Sequence, residues 1–149
     1  MTKLNPDRFI DPKSLDQFAL ECLVNAGLRE DIAASTAAGL TLASLRGIDS
    51  HGIRLLPHYY QELQHCRINP FPDISFHRAT PAVGHLDADD TFGIAAGTTA
   101  VDEAVALAKD SGVGHVAVRN SSHCGSLASF ALKGADAGFL TSAMTHSTA

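Results

Sequence analysis

From Phe92 onward the chain alternates between two kinds of pattern, and this alternation limits its fold more than any other feature. An alanine-rich helix is predicted over Phe92 to Ser111, a strand over His115 to Arg119, a helix from about Gly125 to Ala137, and a strand over Leu140 to Thr145. Helix, strand, helix, strand in that order is the α/β signature, because each helix returns the chain so that strands lie side by side in one sheet. The earlier part reads as helical. Ser14 to Ala26 sets Leu15, Phe18, Ala19, Cys22 and Leu23 at helical spacing before a stop at Gly27, and a second helix spans about Asp31 to Arg46. A third runs from near Ser50 to about Cys66, where Pro57 removes one amide donor, so the helix either kinks or starts again. Beyond Asn69, three prolines separate short β-like pieces at Ile74 to Ala79 and Ala82 to Leu86, and Asp87 to Asp90 reads as a polar turn. We expect a helical segment over residues 1–68 and the start of an α/β domain over 69–149.

Several function classes fall away at this stage. No GxGxxG follows a strand and no GxxxxGK[ST] occurs, which argues against a Rossmann nucleotide site and a P-loop. A formal charge of −5 without a basic cluster argues against nucleic acid, since phosphate binding needs Lys and Arg grouped on one face. No apolar run approaches the roughly 20 residues of a membrane helix. The opening MTKLNPDRF has no apolar core and no small-residue cleavage site, so we expect a cytoplasmic protein. Cys22, Cys66 and Cys124 are odd in number and unpatterned, which suits reduced thiols and no disulfide framework.

Two histidine segments carry the chemistry. Arg46 to Gly52 reads RGIDSHG, and Arg119 to Ser126 reads RNSSHCGS. In each, small polar residues (Asp49 and Ser50, then Ser121 and Ser122) are expected to cap a helix whose first turn holds the histidine. The positive end of the helix dipole would then favour neutral imidazole, able to accept or return a proton near its reference pKa of about 6.5. Arg54 is a candidate carboxylate clamp, since the planar guanidinium matches a carboxylate bidentately.

Around these residues the chain resembles the malate/L-lactate dehydrogenase family of the second type, which includes ureidoglycolate, sulfolactate and 2,3-diketogulonate oxidoreductases. Four blocks carry the resemblance, in the family's order: the paired-helix start (Leu15 to Leu45), RGIDSHGIRLLPHYY (Arg46 to Tyr60), HLDADDTFG (His85 to Gly93) and VAVRNSSHCGSLASFALKGADAGFL (Val116 to Leu140). The resemblance implies a sulfolactate-dehydrogenase-like α/β fold that binds NAD or NADP without the Rossmann glycine loop. It implies hydride transfer between that cofactor and a small 2-hydroxy or 2-oxo acid, usually in a homodimer. His123 matches the proton acceptor of alcohol oxidation. His51 matches a second recurrent histidine, credited with acid/base work or with contacting substrate or cofactor. Ser50 then serves the substrate or only caps, Ser122 meets the cofactor or orients His123, and Ser147 matches a position that touches the nicotinamide cofactor. One departure is plain: the family's arginine usually lies four residues after the first histidine, whereas Arg54 lies three after it and Leu55 holds the usual place. Family members are more than twice as long, so we expect an N-terminal part, inactive alone, of a longer enzyme.

Two rival readings stand beside this one. His51, His58 and His65 recur every seven residues, yet on one helix successive rings would lie roughly 10 Å apart along the axis, too far for one metal ion to bridge. We therefore expect no metal. The other rival is a noncatalytic truncated relative that acts as a dimerisation or interaction module.

Overall fold

Asp11 starts the first helix by accepting the backbone N–H of Ser14 at 2.9 Å, with Pro12 in the first turn, where its missing N–H costs nothing. The computed structural model describes residues 9–146. Helix α1 (Pro12–Asn25) turns Ala19 and Leu23 inward against α2 (Glu30–Leu45). Glu30 and Asp31 oppose the positive end of the α2 dipole, and Arg29 pairs with Asp31 at 2.6 Å. Buried residues run all along α2, and Thr36 satisfies its hydroxyl by donating to the Ile32 carbonyl at 2.7 Å.

Pro57 decides the next element. Instead of one helix from Ser50, two 3₁₀ turns (Asp49–His51 and Ile53–Leu55) precede α3 (Leu56–Gln64), which takes the proline in its first turn. Leu56, Tyr59 and Leu63 form its buried face. They join the main core of α1 and α2 together with Ile68, Phe92, Ile94 and Ala95.

The sheet has the order β1-β2-β3. Strand β1 (Ser75–Arg78) runs antiparallel to β2 (Val83–Thr91), which runs parallel to β3 (His115–Ser121), with Leu86 opposite Phe76 on one side and Val118 on the other. Helix α4 (Gly93–Ser111) makes the crossover between the parallel pair, and its Ala96 and Ala100 form a second core cluster with Leu86 and Ala88 of β2. Helix α5 (Ala128–Asp136) follows β3. Among the described residues, no helix is long and apolar enough to cross a membrane.

Three local expectations fail for identifiable reasons. Asp87 to Asp90 is not a turn but part of β2, with a register shift between Asp87 and Thr91 and positive φ at Asp89 and Asp90. Its carboxylates have protein partners: Asp87 accepts the Asp89 N–H at 3.1 Å, and Asp89 accepts the Asn69 amide at 2.8 Å and the Asp73 N–H at 3.0 Å. Those bonds replace water and hold the irregular strand in the sheet. Helix α5 starts at Ala128 rather than Gly125, which takes φ +65, outside the helical range. No strand forms over 140–145, and Leu140 and Met144 stand exposed. A strand needs a neighbour for its ladder, and among the described residues this segment has none.

Candidate active site

Two segments, far apart in sequence, bring the histidines together. The turn that carries His51 is tied to α2 where the Ile53 N–H donates to Ser44 Oγ at 2.9 Å. His123 stands in the loop between β3 and α5, whose start bonds to the end of β2 through Ser122 N–H and the Thr91 carbonyl at 3.2 Å. Gly93 lets this loop sit on the first turn of α4, because a Cβ there would overlap the Ser122 carbonyl oxygen and reach Cys124.

The imidazoles of His51 and His123 stack with centroids 5.6 Å apart and planes 23° from parallel. Ser50 Oγ lies 2.9 Å from Nδ1 of His51. Behind His123 is Tyr59, buried against Phe92 with ring centroids 4.6 Å apart. Its hydroxyl is 2.8 Å from Nδ1 of His123 and 3.3 Å from that residue's carbonyl oxygen. A carbonyl can only accept. When the single phenolic proton points there, Nδ1–H donates to the phenol oxygen, and the lone pair of His123 is left on Nε2.

Electrostatics keep that lone pair free. Partial burial holds the His123 pKa below its ordinary value, and the neighbouring His51 and His58 lower it further because a second positive charge beside them is unfavourable. Burial, with Cys124 nearby, pushes the Tyr59 phenol well above its usual range, so the hydroxyl keeps its proton. The helix-dipole argument does not carry this result. His123 lies five residues before α5, and neither the Asp49–His51 turn nor α5 has a side-chain cap bond, so the expected capping by Asp49, Ser50, Ser121 and Ser122 is absent.

The remaining candidates divide clearly. Ser122 Oγ is buried without a hydrogen-bond partner among the described residues, next to His123. Its residue lines both a small cavity of about 50 Å³, shared with His58, Tyr59, Glu62, Phe92 and His123, and a long groove of about 920 Å³ beside β3. Arg54 is exposed on the turn before α3, three residues beyond His51. Arg46 is the exposed C-cap of α2. Asn120, three residues before His123, donates its amide to the Asp87 carboxylate at 3.0 Å. Ser147 lies outside the described residues. Among those residues, no group of three or more His, Cys, Asp or Glu side chains is placed to hold a metal ion.

Sequence reasoning missed Tyr59. Its spacing with Leu56 and Leu63 marks a buried helix face, and a buried phenol needs a hydrogen-bond partner. That signal says a partner exists without saying which.

An imidazole of lowered pKa, held by a tyrosine beside a second imidazole, is chemically able to accept or return a proton near neutral pH. The chain is 37% identical to a malate dehydrogenase of Pyrococcus abyssi over 93% of its length and 38% of the relative's. It is 30% identical to the ureidoglycolate dehydrogenase (NAD(+)) of Escherichia coli K12, over 93% of this chain and 40% of the relative. The solved sulfolactate dehydrogenase of Methanocaldococcus jannaschii superimposes with a TM-score of 0.79 at 34% identity, over 83% of this chain and 36% of that one. The chain thus spans about two fifths of the length of the curated relatives it matches. The sequence pattern of the family described as Malate/L-lactate dehydrogenase matches residues 10–149, which takes in both histidine segments and every element from α1 to α5. The chain belongs to the malate/L-lactate dehydrogenase family.

Proposed function

We propose that this chain contributes the acid/base half of an NAD(P)-dependent oxidoreductase that interconverts a small 2-hydroxy acid and its 2-oxo acid. The observation that carries the reading is the Tyr59–His123–His51 arrangement, in which Nδ1 of His123 is engaged by the Tyr59 hydroxyl and Nε2 is the nitrogen left for a substrate hydroxyl. A bound nicotinamide cofactor supplies the hydride acceptor in oxidation and the hydride donor in reduction. The buried, unpartnered Ser122 hydroxyl beside His123 fits that cofactor's carboxamide, because an orphaned polar group costs about 1–3 kcal/mol until a ligand bonds it. Ser147 is the second candidate contact.

The residues of this chain then divide the work. His123 takes the hydroxyl proton onto Nε2 as the carbinol C–H bond breaks and its electron pair leaves with the hydride. Tyr59 holds the ring in place, and His51, oriented through Ser50, lies where it can share the proton or bond the substrate oxygen. Arg54, on the same turn, holds the carboxylate. Reduction runs these steps backwards, with His123 returning the proton.

The test is a chimera that joins this chain to the unmatched part of the Pyrococcus abyssi malate dehydrogenase. We expect turnover of at least one of malate, lactate, sulfolactate or ureidoglycolate with NAD or NADP. A folded chimera that turns over none of them would overturn the proposal. Within it, Arg54→Leu should raise KM for carboxylate substrates about 10-fold, the size of one lost charge-assisted bond. An unchanged KM would remove Arg54 from the site.

The pH dependence follows from the direction of the His123 shift. Oxidation needs neutral His123, and a lowered pKa keeps it neutral further into acid, so the acid limb of kcat/KM should fall below the ordinary histidine value of about 6.5. His51→Gln removes one of the repelling charges, and the limb should move up, but only in part, because burial is the larger cause. A limb that stays in place would show that His51 does not act on His123. The same shift links pH to stability: the contribution is present above the unfolded histidine pKa and is lost as pH falls through the lower folded value.

A further inference from the structure

Helix α3 carries an imidazole and a carboxylate, His58 and Glu62, one turn apart, with Nδ1 of the ring 4.0 Å from Oε1. Pairs at this spacing are common on helix surfaces and contribute only about 0.2–0.5 kcal/mol. This pair is not wholly on the surface. The His58 side chain is 53% exposed, but that of Glu62 is only 19% exposed. Both line the cavity of about 50 Å³ whose other walls are Tyr59, Phe92, Ser122 and His123. The pair therefore has solvent at one end and the acid/base histidine at the other.

The cavity has the size and the chemistry of a water site. A buried water needs about 10–15 Å³ of such space and two to four polar partners. Around this space stand two imidazoles, a carboxylate, a phenol and the hydroxyl of Ser122, whose Oγ is buried without a partner among the described residues. A hydroxyl offers one donor and two acceptor sites, so Ser122 can bond a water here as well as a carboxamide. His123 needs an outlet of this kind. In oxidation it gains the substrate proton on Nε2, while Nδ1 is held by the buried Tyr59 hydroxyl at 2.8 Å, so both nitrogens are covered while substrate is bound. Burial, then the nearby imidazoles of His51 and His58, hold the His123 pKa below its ordinary value, so the charged ring gives up a proton readily.

We propose that water in this cavity connects His123 to the His58–Glu62 pair, which carries the substrate proton out to solvent during oxidation and back during reduction. The inference rests on the acid/base role of His123. The protonated ring of His123 gives one proton to the water, the water passes one to His58, and His58 passes one to buffer. Glu62, held also by Arg67 at 2.9 Å, favours the charged form of the His58 imidazole. Only N–H and O–H bonds form and break in these transfers, since the electron pair of the carbinol C–H bond has left with the hydride.

Buffer dependence of the chimera tests the relay. In dilute buffer His58→Gln should lower kcat about 10-fold with KM unchanged, less than the roughly 10²- to 10⁴-fold worth of a group that touches substrate. Added imidazole, which titrates near neutrality, should restore the rate by carrying the proton itself, and the parent chimera should not respond to it. Glu62→Gln should show a smaller loss with the same rescue. Arg67→Gln, which breaks the ion pair with Glu62 but leaves the route intact, should keep the parent kcat in every buffer. A His58→Gln enzyme as fast as the parent in dilute buffer overturns the proposal. So does a loss that imidazole does not restore, which would make His58 a structural residue of α3. A parent chimera without turnover would overturn the acid/base reading and the relay together, whereas a working parent indifferent to His58 removes the relay alone.

Discussion

His123→Ala in the chimera should lower kcat by about 10²- to 10⁴-fold while KM changes little, the usual worth of a positioned acid/base group. The size follows from what the ring does. When the Tyr59 proton points to the His123 carbonyl, Nδ1–H donates to the phenol oxygen at 2.8 Å and Nε2 holds the lone pair, while burial and two neighbouring histidines lower the pKa of the ring. Alanine removes the proposed proton acceptor and leaves the proposed carboxylate clamp at Arg54 untouched, so binding should survive where turnover does not. Steady-state kinetics in both directions decides it. Turnover within a few-fold of the parent would mean that another group accepts the proton. Tyr59→Phe provides the companion measurement. It keeps the packing against Phe92 but frees Nδ1, so kcat should drop less than with His123→Ala and the acid limb should shift.

Gly93→Ala should destabilise the chain by about 1–3 kcal/mol, the scale of overpacking a close contact. The sign is the informative part, because glycine to alanine within a helix ordinarily stabilises, by about 1 kcal/mol. Here the added Cβ has no room: it overlaps the Ser122 carbonyl oxygen and meets Cys124, both parts of the loop that carries His123. The loop must lift off α4. A displacement of about 1 Å at a catalytic group can cost 100-fold in rate, so kcat of the chimera should fall together with stability. Urea denaturation of the 149-residue chain and kinetics of the chimera read the two effects separately. A stabilised variant with unchanged kcat would show that α4 does not fix the position of His123.

The helical start was legible because its signals are local. The apolar spacing of α1, the Gly27 stop after it and the long alanine-rich α4 all act within a few residues, and helices α1, α2 and α4 form within a residue or two of their expected bounds. The two histidines were legible for a different reason, as small polar runs around an imidazole at the ends of elements. Misreadings gathered where the outcome depends on a distant partner. The acidic run at 87–90 looks like a solvated turn until Asn69 and the Asp73 amide supply bonds from another loop. Residues 140–145 have the composition of a strand but, among the described residues, no neighbour to pair with. The helix dipole expected beside His123 is too distant to act, since the ring lies five residues before α5, and burial with neighbouring imidazoles lowers its pKa instead.

By itself, then, the sequence determined the spans of α1, α2 and α4 and the place of β3 after them, and it marked His51, His123 and Arg54 as candidates for handling a proton or a carboxylate. Those properties are set by near neighbours along the chain. Only the tertiary structure decided that His51 and His123, 72 positions apart, stack in one site, that the Tyr59 hydroxyl bonds Nδ1 of one of them, and that β3, among the described residues, pairs along one edge only. Hydrogen bonds, burial and charge repulsion act through space, and no spacing along the chain records which surfaces the fold will bring into contact.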